Sequence, residues 1–199
     1  REIIANVDRL NELLDRNGCS AVVVRSGKNF TYLAGFPYPG TLGRHLDFPD
    51  SPREVLLVWP RQGEPAMILN SFAAPLARRD SWLDRIEVYD DYAESPYSRM
   101  ADLLKQMGLE GERVGFEKTY LSAARWEEIR GLLPRMTMTD CTDLMDQVRW
   151  IKTPGEVTLL EEAANILDEA YLEVFAALQE GDTEREIHSR IIQGCISRG

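Results

Sequence analysis

The sequence predicts an α/β fold: a mixed sheet flanked by helices, followed by a helical second unit. Three observations predict it. Short β-branched apolar runs alternate with segments of helical period over the first 140 or so residues, the pattern of a layered α/β domain. Two of those runs, 55–59 and 66–69, are joined by Arg61-Gln62-Gly63-Glu64, which suits a hairpin and makes the sheet mixed rather than purely parallel. After Thr153 no further strand pattern occurs, and two capping-box starts appear instead, Thr153-Pro154-Gly155-Glu156 and Thr183-Glu184-Arg185-Glu186.

Residues 3–17 carry Ile3, Ile4, Val7, Leu10, Leu13 and Leu14 at helical spacing, and Asn17-Gly18 closes that helix. Ala21-Val22-Val23-Val24 reads as a buried strand. Residues 29–36 follow with aromatic side chains at 30, 32 and 36. Residues 37–52 form a loop rich in Pro, Gly and Asp, long for a compact domain, and such loops are enriched in function. The hairpin strands come next, then a helix over 71–82, an extended stretch at 86–89 and a helix over 97–107. A strand at 113–117, a helix from the Ser122 cap to Leu133, and a short strand at 136–139 complete the first unit. A short helix over 142–149 opens the second. The helix after Thr153 places Val157, Leu160, Ala164, Leu167, Tyr171, Val174 and Leu178 at steps of three and four, which predicts one continuous buried stripe ending at Gly181. Ile187, Ile191 and Ile192 give the last helix its own apolar side. These helices need a partner surface, and the expectation is that sequence beyond Gly199 supplies it.

The chain has 33 acidic and 23 basic residues, a net charge of −10. Seven of those ten negative charges fall after residue 152, where a solvated helix face accounts for them. A phosphate backbone would be repelled, so nucleic acid is not an expected partner. No apolar run approaches the roughly 20 residues of a membrane helix. Cys19, Cys141 and Cys195 are odd in number and contain no CxxC pair, which argues against a disulfide framework or zinc ribbon and fits a cytoplasmic location. Gly-rich phosphate loops and the Gly-x-Ser-x-Gly motif are missing from the sequence.

Three segments carry a family resemblance. The first runs from Gly18-Cys19-Ser20-Ala21-Val22-Val23-Val24 to Asn29-Phe30-Thr31-Tyr32-Leu33-Ala34-Gly35-Phe36, with Ala34 where the family signature has Thr. The second is Val114-Gly115-Phe116-Glu117. The third is Arg149-Trp150-Ile151-Lys152-Thr153 with Glu156, followed by Gly181-Asp182-Thr183-Glu184-Arg185-Glu186. In order and spacing they resemble the creatinase, prolidase and Xaa-Pro aminopeptidase ("pita-bread") family. The resemblance implies a ribonuclease-H-like N-terminal domain over residues 1–145 and, over 146–199, the truncated beginning of a catalytic pita-bread domain. It implies a homodimeric parent acting on short peptides or small molecules. It also implies a pair of divalent metals (Mn, Co or Zn) held by two aspartates, a histidine and two glutamates, or metal-free chemistry as in creatinase. None of those positions maps onto a residue here, so the expected catalytic and metal-ligand sets of this chain are empty. A non-catalytic interaction module, creatinase-like amidine hydrolysis and lyase chemistry remain open on the same fold.

The residues left for a substrate role are Arg44 and His45 in the long loop. Arg44 can hold a carboxylate in bidentate fashion and His45 can donate a hydrogen bond; alternatively Arg44 pairs with Asp47 on a surface loop. Glu184 and His188 lie one turn apart, a ligand spacing, but no third ligand is nearby in sequence, so a solvated helix pair is the expected reading. Tyr32 and Phe36 can line a pocket or fill a core, and Arg149 and Lys152 can brace the domain junction by ion pairing.

Overall fold

The computed structural model describes residues 3–38 and 54–199. Its contacts divide the chain into two units, Arg1–Ile151 and Lys152–Gly199.

The first unit is built on a six-stranded sheet. In chain order its elements are α1 (Val7–Arg16), β1 (Ala21–Arg25), α2 (Lys28–Ala34), β2 (Leu56–Pro60), β3 (Ala66–Asn70), α3 (Ala73–Asp80), β4 (Ile86–Tyr89), α4 (Pro96–Gln106), β5 (Arg113–Phe116), α5 (Ala123–Leu132), β6 (Thr137–Asp140) and α6 (Thr142–Trp150). A 3-10 turn, Lys118–Tyr120, links β5 to α5. The strand order is β4-β3-β2-β1-β5-β6. β2 pairs antiparallel with both β1 (Val23 opposite Val58) and β3 (Leu57 opposite Met67), while β1/β5, β5/β6 and β3/β4 are parallel. The sheet is therefore mixed, as the hairpin predicts.

The apolar runs of β1, β2 and β3 are buried along their whole length because helices cover both faces. Strand alternation sorts the side chains. Val22 and Val24 join Leu10, Leu14, Phe30, Leu33 and Met145 on the face of α1, α2, α3 and α6. Ala21 and Val23 join Tyr97, Met100, Leu104, Phe116 and Ile129 on the face of α4 and α5.

Local chemistry moves several predicted boundaries. α1 begins at Val7 rather than at residue 3, because Asn6 Oδ1 accepts the Arg9 N–H at 3.2 Å and caps the helix there. Residues 29–36, unassigned from their mixed pattern, form most of α2 and its Gly35 C-cap. Gly35 sits at φ +61°, and a Cβ there would overlap the Trp82 ring, so glycine is required both for the left-handed turn and for the close approach. α3 is shorter than 71–82: Asn70 Oδ1 accepts the N–H groups of Phe72 and Ala73 (3.1 and 2.9 Å), and Ser81 is extended.

The second unit holds α7 (Pro154–Ala176) and α8 (Glu184–Arg198), each opened by the predicted capping box. The helices approach closely where Gly194 faces Ala170; a Cβ on Gly194 would lie 3.1 Å from the Ala170 Cβ. α7 ends at Ala176, before the predicted stop at Gly181. A turn at Gln179–Asp182 intervenes, tied by Gln179 N to Asp182 Oδ2 (2.9 Å) and Asp182 N to Gln179 O (3.1 Å). The stripe predicted to be buried is largely exposed: Val157 is 43 %, Leu160 56 % and Leu167 45 % accessible, and of its seven members only Val174 is buried. Within the described residues, the area α8 covers is centred on Ala170 and Val174, a narrower band than the stripe.

Candidate functional site at the sheet switch point

β1 and β5 are parallel neighbours whose chains leave toward opposite faces, β1 into α2 and β5 through the 3-10 turn into α5. Such a divergence opens a crevice at the carboxyl ends of the strands, where α/β sheets ordinarily take a ligand. Here the crevice is lined by charged and polar side chains that are almost wholly buried: Arg25 is 3 %, Asn29 1 %, Glu54 1 % and Glu117 4 % exposed.

Two linked clusters satisfy them. In one, Glu117 Oε2 accepts the Arg25 backbone N–H at 2.8 Å and Glu117 Oε1 accepts Asn29 Nδ2–H at 2.7 Å. Asn29 Oδ1 in turn accepts from Arg149 at 3.3 Å, and Asp146 accepts from both Arg149 (3.2 Å) and Lys28 (3.1 Å). In the other, Arg25 Nε is ion-paired with Glu54 Oε1, the Tyr97 hydroxyl donates to Glu54 Oε2 at 2.7 Å, and the Tyr89 hydroxyl donates to the Glu54 carbonyl at 2.6 Å. Arg125 lies over the Tyr97 ring at 5.4 Å.

Electrostatics follow from burial. Desolvation pushes the Glu54 carboxyl up, and the attraction and hydrogen bond of Arg25 only partly oppose it. Desolvation likewise raises Glu117 against the hydrogen bonds from Arg25 and Asn29. The Tyr97 phenol is raised by burial and then by the adjoining Glu54. The cavity left among Arg25, Tyr97, Phe116, Glu117 and Leu121 is about 10 Å³. That is room for one water at most, so the crevice is filled by the protein itself.

Arg44 and His45 lie outside the described residues. The residues on either side of their segment are firmly held: Tyr38 OH accepts from Asn70 Nδ2 at 3.0 Å, and Glu54 belongs to the buried cluster. Tyr32 is half-buried with its hydroxyl accepting the Asn6 N–H at 2.7 Å, while Phe36 is buried edge-on to Phe30 at 6.5 Å; both serve the core rather than a pocket. Glu184 and His188 are exposed on α8. Arg149 braces Asn29 and Asp146 within the first unit. Burial raises the Cys19 and Cys141 thiols, Cys141 strongly, which disfavours the reactive thiolate at both. Among the described residues no group of three or more His, Cys, Asp or Glu side chains is placed to hold a metal ion, so they do not fit the dinuclear centre that the resemblance implies. No helix of the described residues is long and apolar enough to cross a membrane.

Sequence reasoning missed Arg25, Glu54 and Glu117 as a group. Arg25 ends β1, Glu54 lies two residues before β2 and Glu117 directly follows β5, and a charge at the end of a largely apolar run was the available signal.

Comparison with known proteins places this architecture. An Xaa-Pro dipeptidase of Lactobacillus delbrueckii subsp. lactis is 26% identical over 187 residues, 94% of this chain and 48% of that protein. Recombinant prolidase from Thermococcus sibiricus superposes with a TM-score of 0.72 at 22% identity, over 98% of this chain and 49% of that one. X-Pro aminopeptidase from Thermotoga maritima superposes with a TM-score of 0.74 at 17% identity, over 96% and 49%. The chain thus spans about half the length of the curated relatives it matches, and it corresponds to their N-terminal half. The profile of the creatinase/prolidase N-terminal domain matches residues 6–151, and the chain belongs to that family.

Proposed function

We propose that this chain is the N-terminal, non-catalytic portion of a metal-dependent Xaa-Pro peptidase-like hydrolase, contributing dimer contact and shaping the substrate channel. The observation that carries the reading is the sequence similarity to an Xaa-Pro dipeptidase along 94% of this chain but only 48% of that protein. In this reading Arg44 and His45 touch the substrate, a short peptide in the cytoplasm, with Arg44 gripping a carboxylate. A divalent metal pair, when bound elsewhere in the parent, would activate water and polarise the scissile carbonyl. What this chain's own residues do is hold the sheet rigid on both sides of the Arg44–His45 segment, through Tyr38–Asn70 and the Glu54 cluster.

Three measurements test the reading. The chain, incubated with Mn²⁺, Co²⁺ or Zn²⁺ and an Xaa-Pro dipeptide, is expected to release no free proline; metal-stimulated turnover would refute the non-catalytic assignment. In the whole protein, Arg44→Ala is expected to raise KM for Xaa-Pro dipeptides about tenfold, the order lost with one charge-assisted hydrogen bond of about 1.4 kcal/mol. Light scattering that finds a strict monomer at micromolar concentration would remove the dimer-contact role.

A further inference from the structure

The switch-point crevice has the donor arrangement of a carboxylate-binding site. A backbone N–H (Arg25, 2.8 Å) and a side-chain amide (Asn29 Nδ2, 2.7 Å) each reach a different oxygen of one carboxylate. Positive charge from Arg25 and Lys28 is directed at the same group. Asn29 is oriented for this task from behind, its Oδ1 held by Arg149. All of it lies where parallel strands β1 and β5 diverge, the position at which such sheets receive a ligand. The carboxylate that occupies it is the chain's own.

We propose that Glu117 is a built-in ligand: its carboxylate fills a small-carboxylate recognition site formed by the Arg25 backbone N–H and the Asn29 amide, and the site takes up free acetate once that side chain is shortened. Glu117→Ala removes the Cγ methylene and the carboxyl group, which together have the heavy atoms of acetate. The two donors stay in place, since neither belongs to the deleted side chain. In the natural chain the site is closed to solutes, because the space left beside Glu117 is about 10 Å³. Among the described residues the switch point therefore leaves no open ligand crevice.

The test is thermal unfolding of the wild type and Glu117→Ala in sodium acetate against sodium chloride at matched ionic strength. The alanine variant is expected to gain on the order of 3 °C at ten times the acetate dissociation constant, saturably, while the wild type shows no acetate-specific shift. Adding Asn29→Ala to Glu117→Ala is expected to abolish the gain. An alanine variant that responds to acetate no better than to chloride overturns the proposal. Should that variant not fold in chloride, Glu117→Ser is measured the same way, and an acetate response missing there overturns it equally.

Discussion

The buried Arg25–Glu54 pair gives the most demanding prediction. Replacing Arg25 with Met keeps most of the aliphatic volume and removes the cation, which leaves Glu54 1 % exposed with only the Tyr97 hydroxyl on its carboxylate oxygens among the bonds described above. Stranding a buried charge costs about 3–5 kcal/mol, whereas removing both charges together costs much less. Arg25→Met/Glu54→Gln keeps an amide oxygen to accept from Tyr97, so the double variant is expected to recover at least about 2 kcal/mol of the single-variant loss. The pH dependence has a definite sign. Burial already raises Glu54, and without Arg25, whose charge lowers it, the carboxyl rises further. The folded state then holds a proton that the unfolded chain has released. Stability falls as pH climbs from the unfolded carboxylate value of about 4.3 to the raised folded value, by at most about 1.4 kcal/mol per pH unit for one group. Arg25→Met should accordingly be closest to wild type near pH 4.5 and furthest from it at pH 7. Urea unfolding followed by tryptophan fluorescence is the assay, because all four tryptophans (59, 82, 126 and 150) lie in the unit Arg1–Ile151. A loss below about 1 kcal/mol, a strictly additive double variant, or equal losses at both pH values would mean that removing Arg25 does not strand the Glu54 charge.

Further substitutions probe other parts of the fold. Glu117→Gln retains one acceptor where two are used; flipping Asn29 to accommodate the new amide would turn its NH₂ toward Arg149, so a loss of about 1–3 kcal/mol is expected in urea titrations. The same variant should show a shallower decline of stability with pH above about 4.3, since a raised carboxyl has been removed. Gly115→Ala would put a methyl 2.7 Å from the Cys141 Cβ and 3.1 Å from Val22 Cγ1, and thermal unfolding should report a cost of about 1–3 kcal/mol from overpacking. Leu160→Glu, at a site 56 % exposed, should change the helical melt of this chain by less than about 0.5 kcal/mol while lowering the binding of an apolar dye; a loss of several kcal/mol would mean the α7 stripe is covered after all.

β1, β2 and β3 were legible because each is a largely apolar run buried on both sides, and that reads the same in one dimension as in three. Both capping boxes were legible because Thr153–Glu156 and Thr183–Glu186 bond within one helical turn. α2 was not, since its aromatic residues follow no clean period and its end depends on Gly35 meeting Trp82, 47 positions later. The buried polar cluster was beyond local reasoning: Arg25 meets Glu54 across 29 positions, Tyr97 meets Glu54 across 43, and Glu117 meets Arg25 across 92. The α7 stripe shows the converse limit. A periodic pattern states that a face is meant to be covered, and the cover itself is not among the described residues.

The proposed function makes these residues scaffold for a reaction centre whose metal ligands they do not supply. Equilibrium dialysis of the chain against Mn²⁺, Co²⁺ and Zn²⁺, with bound metal read by elemental analysis, tests it most directly. No tight stoichiometric binding is expected, and two ions held per chain at micromolar free metal would mean that this chain supplies the ligands itself.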